Sequence, residues 1–288
     1  MLVYLNGDYV EESQAKVSVN DRGFIFGDGV YEVIRVVNGG FFQAIPHLTR
    51  LKEGLSLLRI DLSEQECESL LDIAHYLLKE NDLTEGHATV YIQVTRGAAK
   101  RTHQFPNPAV EPTVFISVNR LVPNHELHQK GASAITIPDV RWTRCNIKSV
   151  NLLPNILAKQ RAEDAGVFST IMIRDGVVTE TQNSNTFLVN DGVIYTFPKS
   201  NYILAGITRD VVFKMAKDLG IEIREEPVAE DKIYDMDEVF LSGTTTDIQG
   251  ITRIDGITIG DGSPGPVTLK LVDKLKNEME QSGKVISG

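Results

Sequence analysis

Cysteine is scarce. The 288 residues hold two, Cys67 and Cys145, too few for a disulfide framework and without metal-type spacing, so a reducing compartment is the expectation. Blocks of positive charge are missing as well. Lys and Arg number 29 against 39 Asp and Glu, a formal net charge of −10. No basic run interrupts that balance, and such a surface repels nucleic acid and anionic membrane, so both are discounted as partners. No apolar run is long enough to span a bilayer. Met1-Leu2-Val3-Tyr4-Leu5-Asn6-Gly7-Asp8 lacks a basic flank and a long apolar core, and it reads as strand and turn rather than signal peptide. Repeats and low-complexity segments are absent too. His125 and His128 flank Glu126-Leu127 without a convincing third ligand, so a solvated linker is expected there and no metal site. Gly27-Asp28-Gly29 lacks the third glycine of a dinucleotide fingerprint. These absences leave a soluble, cytoplasmic protein as the expectation.

What is present fits about two domains by length, and 42% hydrophobic residues suffice for sizeable cores. Asn6-Gly7-Asp8 between Leu2–Leu5 and Tyr9-Val10 is a hairpin signal. Asn20-Asp21-Arg22-Gly23 punctuates the chain before a β-branched strand over Val30–Val37. Leu48, Leu51, Leu55 and Leu58 share one helical face between His47 and Arg59. Ser63 with Glu66 forms a capping box that opens a second helix running to about Lys79. Strands follow at Ala88–Arg96 and Thr113–Val118. The proline-rich segment between them, Lys100-Arg101-Thr102-His103-Gln104-Phe105-Pro106-Asn107-Pro108, is long enough to be functional or mobile. Residues 1–119 therefore read as a small α+β unit, 120–124 as a linker, and 125–288 as a larger unit. In the latter, strands are expected near 135–138, 170–174, 177–178, 186–189, 193–195, 222–224 and 238–241. Helices are expected near 152–165, 208–219 and 267–279, with a short helical stretch near Glu230 and a frayed tail over 281–288.

Lys148 lies between the strand ending at Pro138 and the helical pattern starting near Asn151. A partly desolvated lysine offers a neutral amine, which Schiff-base chemistry requires; taken alone, the stretch reads first as a snorkelling or paired lysine, because single lysines near helix starts are common. Gly206-Ile207-Thr208-Arg209-Asp210 is a glycine turn opening a helix, whose free N–H groups suit a phosphate or simply an N-cap. Ser242-Gly243-Thr244-Thr245-Thr246-Asp247 supplies small hydroxyl residues at a strand end, a second phosphate wall or a polar turn. Glu180 closes an apolar strand and either pairs with something or is exposed. Arg50 on the first helix adds a possible phosphate ligand or a solvated arginine. Amine, carboxylate and phosphate cup together are what pyridoxal 5'-phosphate (PLP) needs.

These stretches resemble a known family. Arg144-Cys145-Asn146-Ile147-Lys148-Ser149, Val178-Thr179-Glu180 and Gly206–Asp210 are similar to the class IV (fold type IV) PLP-dependent aminotransferases. Asp21-Arg22-Gly23-Phe24-Ile25-Phe26-Gly27-Asp28-Gly29-Val30-Tyr31-Glu32-Val33 resembles that family's N-terminal motif. Val94-Thr95-Arg96-Gly97 followed by Arg101–Pro106 resembles the substrate-carboxylate loop of its D-amino-acid branch. The resemblance implies an α+β, two-domain fold type IV enzyme, with a smaller N-terminal domain and a larger, β-barrel-like C-terminal domain carrying helices. It implies that Lys148 bears the cofactor and moves the substrate proton, and that Glu180 holds the pyridine nitrogen. Arg50, Ile207, Thr208 and Thr244 would bind phosphate, and Leu204 would pack under the ring. Tyr31, Arg101 and His103 would hold the substrate carboxylate, the last two reaching across a homodimer. The implied reaction moves the amino group of D-alanine or a similar D-amino acid to 2-oxoglutarate or another 2-oxo acid. The alternatives sharing the fold are a branched-chain L-amino-acid aminotransferase and an aminodeoxychorismate lyase.

Overall fold

In a computed structural model the chain is described over residues 1–282. It divides into two compact units. One comprises Met1–Val122 with Ile147–Asn151 and residues 279–282; the other comprises Pro123–Asn146 and Leu152–Glu278.

The first unit is built from β1 (Leu2–Leu5), β2 (Asp8–Glu11), α1 (Arg22–Phe26), β3 (Gly29–Val37), β4 (Gly40–Phe42), α2 (Ala44–Leu58), α3 (Glu64–Glu80), β5 (His87–Thr95) and β6 (Thr113–Arg120). The strands form one antiparallel sheet in the order β2-β1-β6-β5-β3-β4. β5 alternates strictly, burying Ala88, Val90, Ile92 and Val94 on one face. That face receives Leu51, Leu55, Leu70, Leu77 and Leu78 from α2 and α3. The capping box expected at Ser63 and Glu66 is formed, a device that stabilises a helix start by about 1 kcal/mol.

Asn20–Gly23, expected as punctuation, instead opens α1. Asp21 accepts from the N–H groups of Gly23 and Phe24, and Gly27 ends the helix in the left-handed region at φ 69°. Five helical residues are too few for a periodic apolar stripe, so only the cap is available as a signal.

The second unit holds α4 (His125–Lys130), β7 (Ala132–Pro138), α5 (Leu153–Asp164), β8 (Ser169–Arg174), β9 (Val177–Thr181), β10 (Asn185–Asn190), β11 (Val193–Thr196), α6 (Ile207–Asp218), β12 (Ile223–Glu225), β13 (Glu238–Gly243), β14 (Asp247–Ile254), β15 (Ile257–Thr258) and all but the last turn of α7 (Pro266–Ser282). Strands β10-β13-β14-β7-β8-β9 follow one another, and β9 returns to β10 through Glu180 and Asn185. That pairing closes a barrel-like ring of strands, from which β11 and β12 extend beside β10. β7 runs parallel to both of its neighbours.

Three local expectations change here. Residues 125–130 are α4, with Asn124 Oδ1 accepting the Leu127 N–H at 3.0 Å, rather than a solvated linker. Residues 247–254 form β14, a central strand. Its Ile248, Ile251 and Ile254 are spaced by three with Gly250 between them, which disguises the alternation of a strand. α7 continues through Ser282, and the rest of the expected tail, 283–288, lies outside the described residues.

Candidate active site

In the first unit, Ile147–Asn151 lies alongside β3. The Tyr31 N–H donates to the Lys148 carbonyl and the Val150 N–H to the Gly29 carbonyl, both at 3.0 Å, and Ser149 bridges Val30. Ile147 enters the hydrophobic core and Ser149 is buried. Alternation sends Lys148 to the other face. Its side chain is half-buried, with Nζ 4.3 Å from the centroid of the Tyr31 ring. A cation or amine over an aromatic face is held there without being neutralised. Among the described residues no carboxylate pairs with it.

Glu32, next to Tyr31 on β3, is completely buried. It accepts from His47 Nδ1 at 2.7 Å and from Arg50 at 2.7 and 2.9 Å, a two-pronged pair. Burial alone would raise the Glu32 carboxyl, but the bonds from His47 and Arg50 outweigh it and hold the group at about 2. Burial pushes His47 down from 6.5, against the opposing bond and charge of Glu32. Arg50 is therefore not a solvated helix arginine; its guanidinium is aimed by a buried carboxylate.

The loop carrying Arg101 and His103 starts where β5 ends. Both residues are exposed, and both stand on Phe26 of α1: the Arg101 guanidinium is 5.2 Å from that ring centroid and the His103 ring 5.9 Å. The two proposed carboxylate ligands thus share one aromatic support.

In the second unit, Glu180 is 4% exposed at the barrel-closing ladder. Arg141 donates to Oε1, Asn185 Nδ2 donates to Oε2 at 2.9 Å, and the Leu204 N–H is shared between both oxygens at 3.2 Å. Three donors on a carboxylate with about four acceptor positions leave room for a fourth. Burial pushes the Glu180 carboxyl up, against the opposing charge of Arg141. Asp139, also buried, grips Arg141 with two bonds of 2.8 Å and accepts from Arg174. For Asp139 burial raises the carboxyl, and the arginine bonds more than reverse this, to about 2.

Asn185 Nδ2 also donates to the Leu204 carbonyl at 2.9 Å. A Cβ at Gly206 would overlap Asn185 Oδ1, so any larger residue would have to displace the Asn185 side chain. Gly206 is the N-cap of α6 and no side chain caps that end. The buried Ile207 and Thr208 therefore present the helix's first N–H groups at a bare, electropositive terminus. Thr244 lies in the β13–β14 turn, just beyond Gly243, and Ser242 of β13 pairs with Asn185. Ser184 Oγ bonds Thr246 Oγ1 at 3.0 Å and ties that turn to the one after Glu180. Gln182 turns inward, its Oε1 accepting from Ser169 and Thr170 of β8.

The residue types fit PLP: the first unit offers an amine with no carboxylate partner among the described residues, and the second offers a carboxylate with spare acceptor capacity and an uncapped helix end behind a crowded glycine. Sequence patterns alone do not single out Asp139, Arg141, Asn185, Glu32, His47 or Phe26. The available signal for Glu32 is a charge inside an apolar strand; for Asp139 and Arg141 it is a pair of opposite charges just after Pro138.

Residues 29–254 match the family model for amino-transferase class IV. A D-alanine aminotransferase of Staphylococcus aureus (strain N315) is 40% identical over 96% of this chain and 98% of its own length. One from Bacillus licheniformis is 42% identical over 97% of each. Among solved structures, the Escherichia coli branched-chain amino acid aminotransferase matches with a TM-score of 0.89 and 28% identity, over 100% of this chain and 97% of its own. A T.th. branched-chain amino acid aminotransferase with pyridoxamine 5'-phosphate matches with a TM-score of 0.86 and 29% identity, over 98% of this chain and 94% of its own. With its fold type IV architecture, the chain belongs to the class IV aminotransferases, a family of PLP-dependent enzymes.

Proposed function

We propose that the protein is a D-amino-acid transaminase that moves the amino group of D-alanine, or a similar D-amino acid, to 2-oxoglutarate or another 2-oxo acid. The observation that carries the D-amino-acid reading is the placement of Arg101 and His103 on one ring, Phe26. A guanidinium fork beside an imidazole is a carboxylate receptor. The 40% identity to a D-alanine aminotransferase over nearly the whole chain supports the same reading.

Bound PLP supplies an aldehyde for an amine and an electron sink. Lys148 would provide that amine and, through Nζ, move the substrate proton. Glu180 would accept from the ring nitrogen. The N–H groups of Ile207 and Thr208, the Thr244 hydroxyl and the Arg50 guanidinium would hold the phosphate, and Leu204 would pack against the ring. Tyr31, Arg101 and His103 hold the substrate carboxylate. The reading also carries a homodimer in a reducing cytoplasm. Two free, buried thiols suit that compartment. The exposed stripe Leu153, Ile156 and Leu157 on α5 is the kind of surface a second copy covers. No helix among the described residues is long and apolar enough to cross a membrane.

The test is a coupled assay of the purified holoenzyme with 2-oxoglutarate and either D-alanine or L-leucine. Turnover with D-alanine alone is expected. Turnover with L-leucine alone would replace the reading with the branched-chain activity named for the solved neighbours. A PLP-loaded protein inert with both would point to the lyase.

A further inference from the structure

Gly27-Asp28-Gly29 is a motif that the cofactor site does not use. Its two glycines are both under constraint. Gly27 has φ 69°, and a Cβ on Gly29 would lie 2.7 Å from the Val94 carbonyl. The turn is thereby pressed onto the end of β5, where the Arg96 N–H donates to the Asp28 carbonyl at 3.1 Å. This fixes where the Asp28 carboxylate points.

That carboxylate is 12% exposed and takes two guanidinium groups. Arg22 Nε and Arg96 Nε both donate to Oδ2 at 2.8 Å, and Arg96 Nη2 donates to Oδ1 at 2.9 Å. Each arginine then reaches the Lys100–Pro108 loop by a different route. Arg22 Nη1 donates to the Thr102 carbonyl at 2.7 Å, between Arg101 and His103 in sequence. Arg96 lies 3.7 Å from the centroid of the Phe105 ring, with Arg59 over the same ring at 4.7 Å. Arg96 is itself fixed at the end of α2 by the carbonyls of Leu58 and Arg59, at 2.7 and 2.8 Å. Arg22 also lies over Phe26, the ring that supports Arg101 and His103. Without Asp28, two buried guanidiniums would repel each other and lose their orientation.

We propose that Asp28 is the positioning residue for substrate-carboxylate recognition. By clamping Arg22 and Arg96 it holds the Lys100–Pro108 loop, and hence Arg101 and His103, in binding geometry. This rests on the reading of Arg101 and His103 as carboxylate ligands. The glycine-flanked aspartate is then a loop clamp, and the long loop is a tethered one.

The test uses the PLP-loaded enzyme with Asp28→Asn and, in case that variant folds poorly, Phe105→Ala, which removes a 42% exposed ring without orphaning a charge. Two quantities are read. The first is the rate of tryptic cleavage after Lys100 and Arg101, both exposed. The second is KM for D-alanine beside kcat and PLP affinity. Cleavage is expected to accelerate, and KM to rise about tenfold in Asp28→Asn, with kcat and PLP affinity nearly unchanged. Cleavage rates unchanged in both variants would overturn the clamp. A loosened loop with an unchanged KM would overturn the role in recognition. Arg101→Ala then separates the two failures: if it still raises KM, only the positioning idea fails, and if it does not, the carboxylate reading of the loop fails with it.

Discussion

Arg141 donates to Glu180 inside the barrel-like unit, and Asp139 holds Arg141 from its other side. The pair sets the charge of the one carboxylate assigned to the cofactor ring. Burial favours the neutral acid at Glu180, and the guanidinium opposes it. A neutral acid would not retain a protonated pyridine.

The first prediction concerns that contact. Arg141→Met removes one partner of a buried ion pair, which typically costs about 3–5 kcal/mol. Urea unfolding should show the loss. PLP titration should show weakened binding, with Arg141→Lys recovering part of each. A Met variant that binds PLP as tightly as the parent would mean that Glu180 needs no cationic neighbour.

A second prediction follows from the crowding at Gly206. An alanine Cβ there would overlap Asn185 Oδ1. Asn185 would have to leave Glu180 and the Leu204 carbonyl, both of which it bonds at 2.9 Å. Overpacking of this kind costs about 1–3 kcal/mol. Gly206→Ala should weaken PLP binding and lower the unfolding midpoint. The double variant with Asn185→Ala should lose less than the sum of the two singles. Additive losses would show that the two residues act separately.

Much of this is readable from the chain, for physical reasons. Capping boxes, glycine stops and leucine stripes are local, and they locate α2, α3 and α6 within a few residues. The attachments of the site are not local. Asn185 reaches Glu180 because β9 and β10 close a ring, and no periodicity reveals a ring closure. Glu32 is a charge in an apolar strand, and its meaning depends on His47 and Arg50, which arrive from α2. Sequence patterns put Lys148 at a strand-to-helix junction, whereas the structure lays its backbone along β3. A five-residue addition to a sheet edge is too short for any pattern to show.

The third prediction addresses Lys148 directly. Borohydride reduction of the PLP-loaded protein, followed by peptide mapping, should place the cofactor mass on Lys148. Lys148→Ala should lose both the adduct and turnover, while the cofactor-free forms of variant and parent share one unfolding midpoint, since the side chain makes no ion pair among the described residues. Normal transamination by that variant would remove the central assignment.

The fourth prediction is a two-stage loss of stability in acid. The folded His47 pKa lies below 6.5, so the unfolded chain binds more protons as pH falls below about 6.5, and stability declines from there. The Glu32 carboxyl is held at about 2 against an ordinary 4.5. Its contribution is complete above 4.5 and is lost as pH falls through about 2, an amount of roughly 3 kcal/mol. Asp139, also at about 2, has the same sign. Glu180 runs the other way, because burial raises its carboxyl and its folded form takes up a proton first. The informative quantity is therefore the difference between parent and variant. Subtracting the unfolding free-energy profile of His47→Gln from the parent should isolate a slope that begins near pH 6.5. A difference that stays flat from pH 7 to 5 would mean that His47 titrates as freely in the folded chain as in the unfolded one.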